Sequence, residues 1–312
     1  METLDIGDYH SPRQRRDIEL AARAFLRGKI GSQQVLRQVM SQSVKHGLDE
    51  FTQLEDRFIL QIEATARTRK YHSVLRQEYQ KVRQIQEMVP PSFLKNLEQK
   101  LLVEFAPTFI QGRNPSTGLI IIFLTSLNNF YLSNAVMAIP LLEKGYSLLF
   151  LKTERNSQFL NGIPGFGDTW SKSMGRLREF LKEKSLDYRV TGFSSSGYAS
   201  ILATLTLDPS NYVGFSVYGD LRLNSHLQAP RYFNKLVRNN TPVDMHRNLV
   251  QEAHGCKTPI KLFAGELNTL DVRHAEAFRS VKSATVEILP DGSHMTARDL
   301  FLADRFFAEL IA

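Results

Sequence analysis

The sequence predicts an α/β fold: a mostly parallel sheet flanked by helices, preceded by an all-helical N-terminal segment. Three observations predict it. Six short apolar runs recur after residue 106, separated by amphipathic segments. Glycine is scarce before that point, with four of the 18 glycines in the first 105 residues. The 42% hydrophobic content of the 312-residue chain is enough for a sizeable core. Buried strands alternating with helices call for crossover connections, which set the strands parallel and cover both sheet faces.

Residues 1–105 are rich in Gln, Arg, Leu and Glu, which favour helix. Helices are expected at 12–28, 32–46, 50–88 and 91–103, punctuated by Gly28 and Gly31, by Gly47 and by Pro90-Pro91. In the third, Phe51, Leu54, Phe58, Ile59 and Ile62, then Leu75, Tyr79 and Val82, recur at helical spacing. Such a hairpin or small bundle could pack on the sheet, cover a pocket or mediate self-association, and periodicity does not choose. The connector APTFIQGRNPSTG follows, with a short edge strand around Val103 to Phe109.

The sheet domain is taken as 106–312. Its strands are expected at LIIIFLT (119–125), SLLFLKT (147–153), YRVTGF (188–193), YVGFSVYG (212–219), PIKLFAG (259–265) and ATVEILP (284–290). Helices are expected between and after them, at 132–144, 168–185, 197–207, 272–281 and 298–311. Residues 220–257 break the rhythm with 38 residues between two strands, including Pro230, Tyr232, Phe233 and Pro242. An insertion of that length reads as a cap or lid.

Charge and composition exclude several function classes. The net charge of +7 divides into +3 over the first 105 residues and +4 over the remaining 207. It is spread thinly, whereas a phosphate-tracking face needs a stripe, so no nucleic-acid partner is expected. Arg13, Arg15 and Arg16, like Arg67, Arg69 and Lys70, read as solvated helix surface. A single cysteine, Cys256, rules out an internal disulfide or a cysteine-cluster metal site and fits a reducing cytosol. The longest apolar run, Leu119 to Leu124, has six residues, far short of a membrane span, and METLDIGDYH is acidic with no apolar region after it. A cytoplasmic protein is the expectation. No HExxH, paired-His spacing or acidic calcium loop appears, and Gly162, Gly165 and Gly167 match neither a dinucleotide fingerprint nor a P-loop. Neither a metal nor a cofactor is expected. NGIPGFGDTW (161–170) reads as a rim loop, with Asp168 capping the next helix.

The chemistry concentrates in YRVTGFSSSGYASILATL, residues 188–205. A strand passes through small residues and serines into a helix, as at a nucleophile elbow, where the positions two before and two after the serine must be small. With Ser194 as nucleophile those positions are Gly192 and Ser196. With Ser195 the first would be bulky Phe193, so Ser194 is chosen. The helix N-terminus would stabilise an oxyanion, and the Ser195 amide is one donor. A plain serine cap on a helix is the competing reading.

Partners for Ser194 follow from chain order. Among eight histidines only His294, in ILPDGSHMTARDL, occupies a loop after the last strand, as the order Ser, Asp, His requires. It would serve as general base toward Ser194 and then as general acid to the leaving group.

Through Gly192-Phe193-Ser194-Ser195-Ser196-Gly197-Tyr198, PIKLFAGELNTLD and PDGSH, residues 117–312 resemble the α/β-hydrolase superfamily. NGIPGFGDTW, the elbow and GELNTLDVRHAEAF are also similar to uncharacterised bacterial hydrolase-like domains linked to surface-polysaccharide proteins. The resemblance implies a serine esterase, acyl hydrolase or acyltransferase acting on a small-molecule or acylated substrate. Two departures stand out. Ser196 replaces the final glycine of G-x-S-x-G, and Gly265-Glu266-Leu267-Asn268 replaces the usual G-x-x-D. Asp271 is taken as the acid, with Asn268 and Glu266 as alternatives, and a capping role for Asp271 competes. Relatives carry a His-Gly pair where this chain has Thr125-Ser126-Leu127-Asn128-Asn129, so a backbone N–H near Ser126 is the second oxyanion donor expected. The rival functional reading is a catalytically inactive hydrolase-like binding or assembly module, for which Asn268 and Ser196 argue.

Overall fold

Six consecutive apolar residues need cover on both faces, and Leu119 to Leu124 obtain it inside a sheet, each 1% exposed or less. The computed structural model describes residues 107–112, 117–125, 132, 134–153, 157–227 and 238–312, together with 80–81, 84–85, 87–90, 93 and 96. The four helices expected before residue 105 lie outside these residues except for isolated helical positions between 80 and 96. The chain divides into two compact units, Met1–Leu102 with Ser133–Ile139 and Val103–Leu132 with Pro140–Ala312. The sheet belongs to the second.

Its strands are β1 (Thr108–Ile110), β2 (Leu119–Thr125), β3 (Ser147–Thr153), β4 (Tyr188–Phe193), β5 (Asn211–Phe215), β6 (Ile260–Gly265) and β7 (Ala284–Leu289). They lie in the order β1-β3-β2-β4-β5-β6-β7, with only β1 antiparallel to its neighbour. Helices follow in chain order: α1 (Asn134–Glu143), α2 (Trp170–Lys184), α3 (Ser194–Leu207), α4 (Leu249–Glu252), α5 (Thr269–Ala277), α6 (Thr296–Leu302) and α7 (Phe306–Ile311). The chain leaves β2 toward β3 on one side and returns to the other side to lay down β4. That reversal makes the carboxyl ends of β2 and β4 a topological switch point, where open α/β sheets bind ligands. The result is an open, mostly parallel α/β sheet with a serine turn directly after β4.

Helix α3 packs on β2, β4 and β5, and every residue from Ser194 to Thr204 is buried. A helix apolar or small all round needs such cover, which explains why its sequence shows no polar stripe.

Several boundaries differ from expectation, and α3 and α5 each begin three residues early, at Ser194 and Thr269. The strand expected at 212–219 stops at Phe215, because Ser216 turns the chain with φ +51°. The helix expected at 298–311 is two, broken where Asp304 adopts φ +59°. Helix α2 is capped by Thr169, whose hydroxyl accepts from Lys172 N–H, whereas Asp168 pairs with the Lys172 ammonium at 3.0 Å.

Residues 228–237 of the insertion lie outside the described set. Its two ends are fastened together by an antiparallel bridge between Asp220 and Asn248. The fully buried Asp220 accepts from the Arg222 guanidinium and amide and from Ser225 Oγ, and these bonds hold its carboxyl below the usual range despite burial. The return stretch is fixed to α3 by Tyr198, whose hydroxyl accepts from Arg247 N–H at 2.8 Å and donates to Met245 O at 2.9 Å.

Candidate active site

The β4–α3 turn places Ser194 in the left-handed region, φ +51°, directly after extended Phe193. Strain of this kind in a residue with a Cβ persists only where its surroundings enforce it. Those surroundings are visible. A Cβ on Gly192 would lie 2.1 Å from Ser200 Oγ, and one on Gly197 would lie 2.2 Å from Val217 Cγ1. The elbow is packed so closely on β4 and on the segment after β5 that glycine is required at both places.

Ser196, the departure from the usual pattern, has a structural reason. Its hydroxyl donates to Phe123 O of β2 at 2.7 Å and accepts from Phe193 N–H at 3.2 Å. A glycine could make neither bond. The serine therefore ties the turn to the neighbouring strand.

His294 approaches from the loop after β7. Its Nε2 lies 2.7 Å from Ser194 Oγ, and the Phe193 ring packs beside the imidazole with centroids 5.3 Å apart. The loop rests on bare backbone at the end of β6: a Cβ on Gly265 would sit 2.0 Å from Ser293 O. Leu267 N–H donates to Gly292 O at 2.9 Å and holds the loop from the same side.

Of the three acid candidates, Asp271 contacts the other ring nitrogen, with Oδ2 at 2.6 Å from His294 Nδ1. It projects from the first turn of α5 and is fully buried. Asn268 is the N-cap of that helix and accepts from the Leu270 and Asp271 amides at 3.2 and 3.3 Å. Glu266 is exposed and accepts from Asp291 N–H at 3.1 Å. Capping thus falls to Asn268, not to Asp271. A carboxylate accepting from Nδ1–H fixes the tautomer that leaves the Nε2 lone pair facing Ser194 O–H.

Ser195 is buried in the first turn of α3. Ser126, with the rest of the loop after β2, lies outside the described residues. The rim-loop glycines Gly162 and Gly165 both take positive φ, +111° and +81°. Cys256 is half-buried where the insertion returns to the sheet. Among the described residues no cluster of three or more His, Cys, Asp or Glu could hold a metal, and no described helix is long and apolar enough to cross a membrane.

Two supports escaped the sequence reading. His274, one turn after Asp271, is fully buried and accepts from Gly219 N–H through Nδ1 at 3.1 Å, joining α5 to the start of the insertion. Asp271 and His274 sit three apart on one helical face, the only sequence signal available. Asp299 in α6 accepts from Ser293 N–H at 3.3 Å, beside His294. Burial raises the Asp299 carboxyl above its ordinary value, against the opposing pull of Arg298. A raised carboxyl means the folded state holds the proton more tightly than the unfolded chain. Stability is therefore lost as pH rises from about 4 through the folded value. Asp299→Asn, which keeps an acceptor for Ser293, is expected to melt about 2 °C above wild type at pH 7. By pH 4 the gain should shrink away. Thermal melts at the two pH values check this, and an equal gain at both would refute it.

No family model matches the sequence, and no curated protein matches it. Among solved structures, MenH from S. aureus is similar at 14% identity and TM-score 0.43, covering 67% of this chain and 100% of its own. MGS-MChE2, an alpha/beta hydrolase from a lagoon-sediment metagenome of Mar Chica, Morocco, is similar at 20% identity and TM-score 0.44, covering 66% and 96%. An esterase of the bacterial hormone-sensitive lipase family is similar at 11% identity and TM-score 0.47, covering 75% and 95%.

Proposed function

We propose that the chain is a serine hydrolase acting on a carboxylic ester or thioester through an acyl-enzyme intermediate. One observation carries the reading: the unbroken chain from Ser194 Oγ to His294 Nε2, 2.7 Å, and from His294 Nδ1 to Asp271 Oδ2, 2.6 Å. His294 takes the Ser194 proton as Oγ attacks the carbonyl carbon. The tetrahedral oxyanion is held by the Ser195 amide and by an amide near Ser126. Collapse breaks the bond to the alcohol or thiol, which leaves with the proton from His294. Water then attacks the acyl-serine, gives its proton to His294, and the acid departs as Ser194 recovers it. An acceptor other than water would make the same chemistry a transfer. The 220–257 insertion shapes the pocket, and the reaction as written calls on no metal or cofactor.

The alternative, an inactive binding or assembly module argued from Asn268 and Ser196, is less favoured because Asp271 contacts His294.

A fluorophosphonate probe tests the proposal. Intact wild type is expected to label at Ser194, with labelling blocked by prior heating, and Ser194→Ala is expected to stay unlabelled. A folded wild type that does not react, or an alanine variant that labels equally, would sink it.

A further inference from the structure

Ser216 follows β5 and belongs to no motif. It is fully buried and left-handed, φ +51°, yet its N–H still reaches Phe263 O of β6 at 2.8 Å. Glycine adopts that backbone freely, and a residue with a Cβ does so under strain. Backbone geometry alone therefore argues for glycine here, and the hydroxyl must be what the position needs.

That hydroxyl donates to the main-chain carbonyl of His294 at 3.0 Å, across 78 residues of sequence. On its other side lies Thr296 Oγ1, at 3.1 Å and also fully buried. Each hydroxyl has one proton, so the order follows: Thr296 O–H donates to Ser216 Oγ, and Ser216 O–H donates to His294 O. In so dry a place both bonds are strong, and losing either leaves an unmet polar group. His294 is then gripped twice. Asp271 holds its ring and Ser216 holds its backbone.

We propose that Ser216 is a positioning residue for the general base, its hydroxyl setting the His294 backbone so that Nε2 stays within reach of Ser194 Oγ. The inference rests on the reading of Ser194 and His294 as nucleophile and base. Displacement of a reacting group by about 1 Å can cost on the order of 100-fold in rate. The left-handed strain is accepted at this site because it aims the hydroxyl at the loop after β7.

The test compares wild type, Ser216→Gly and Ser216→Ala by fluorophosphonate inactivation, separating the maximal rate constant kinact from the affinity KI, with a thermal melt of each. Both variants lack the hydroxyl, and glycine alone also relieves the strain. Both are expected to lose about 10- to 100-fold in kinact with KI unchanged, and Ser216→Gly is expected to melt at or above Ser216→Ala. A folded glycine variant that reacts at the wild-type kinact would overturn the proposal, whether or not the alanine variant is slow. A loss that appears in KI alone would overturn it too. Failure of wild type to react at all ends the functional reading itself. Equal reactivity of wild type and variants ends only the role of Ser216.

Discussion

His294→Ala is expected to lower kcat on an activated ester by about 10⁶-fold, to leave KM near wild type and to lower the melting temperature. The size follows from what the imidazole does. A serine hydroxyl is a poor nucleophile until a base 2.7 Å away takes its proton, and the leaving group needs that proton back. KM is spared because the imidazole acts on charge that develops only in the transition state. The fold is strained because the fully buried Asp271 carboxylate loses its hydrogen bond to His294 Nδ1. What remains is catalysis by the oxyanion donors and by substrate positioning alone. Steady-state kinetics with a nitrophenyl ester, beside a thermal melt, check the pair of values. A loss below about tenfold would remove His294 from the mechanism.

Asp271→Asn is expected to have the next largest effect, a loss of about 10⁴-fold in kcat. The replacement nearly preserves shape, but its amide N–H₂ faces Nδ1 as a donor where a carboxylate accepted. Nδ1 must then be the acceptor and Nε2 carries the proton, which leaves Ser194 facing a donor. Stability should move the other way. Asp271 is fully buried, and its Oδ1 has no hydrogen-bond donor among the described residues. A neutral isostere removes a buried charge that is only half satisfied. The expected result is a melting temperature equal to or above wild type with kcat collapsed. Unchanged kcat would return the acid role to an open question, and a lower melting temperature would show the carboxylate to be structural.

The strands were the most legible part of the chain. LIIIFLT, SLLFLKT and YRVTGF end where their runs of apolar and small residues end, because parallel strands covered on both faces must be apolar throughout. YVGFSVYG misled for the same reason. Val217 and Tyr218 leave the sheet after Ser216 but stay buried, 2% and 3% exposed, so hydrophobicity continues past the strand. Apolar texture reports burial and is silent on hydrogen-bond pairing. At the C-terminus, FLADRFFAELI carries neither Gly nor Pro, and the break is made by Asp304 in a conformation its residue type seldom announces.

At the site, Ser194 and His294 could be singled out because an elbow and a terminal loop each have a local signature. The acid has none beyond its neighbourhood, since Asn268 and Asp271 both suit a helix start. Their roles separate only when α5 is built and one carboxylate turns inward. Ser216 was illegible for a deeper reason: its partner is a backbone carbonyl, which no side chain in the sequence advertises.

The 100-residue separation of Ser194 from His294 has a consequence for how reactivity arises in time. Strand β4 can present its serine, but β5, β6 and β7 must add in turn before the imidazole arrives. A chain still emerging during synthesis would hold an inert alcohol until β7 and the loop carrying His294 are in place. On the proposed reading Ser194 meets its base only with completion of the sheet, so the appearance of a reactive serine would serve as a clock for the final step of folding.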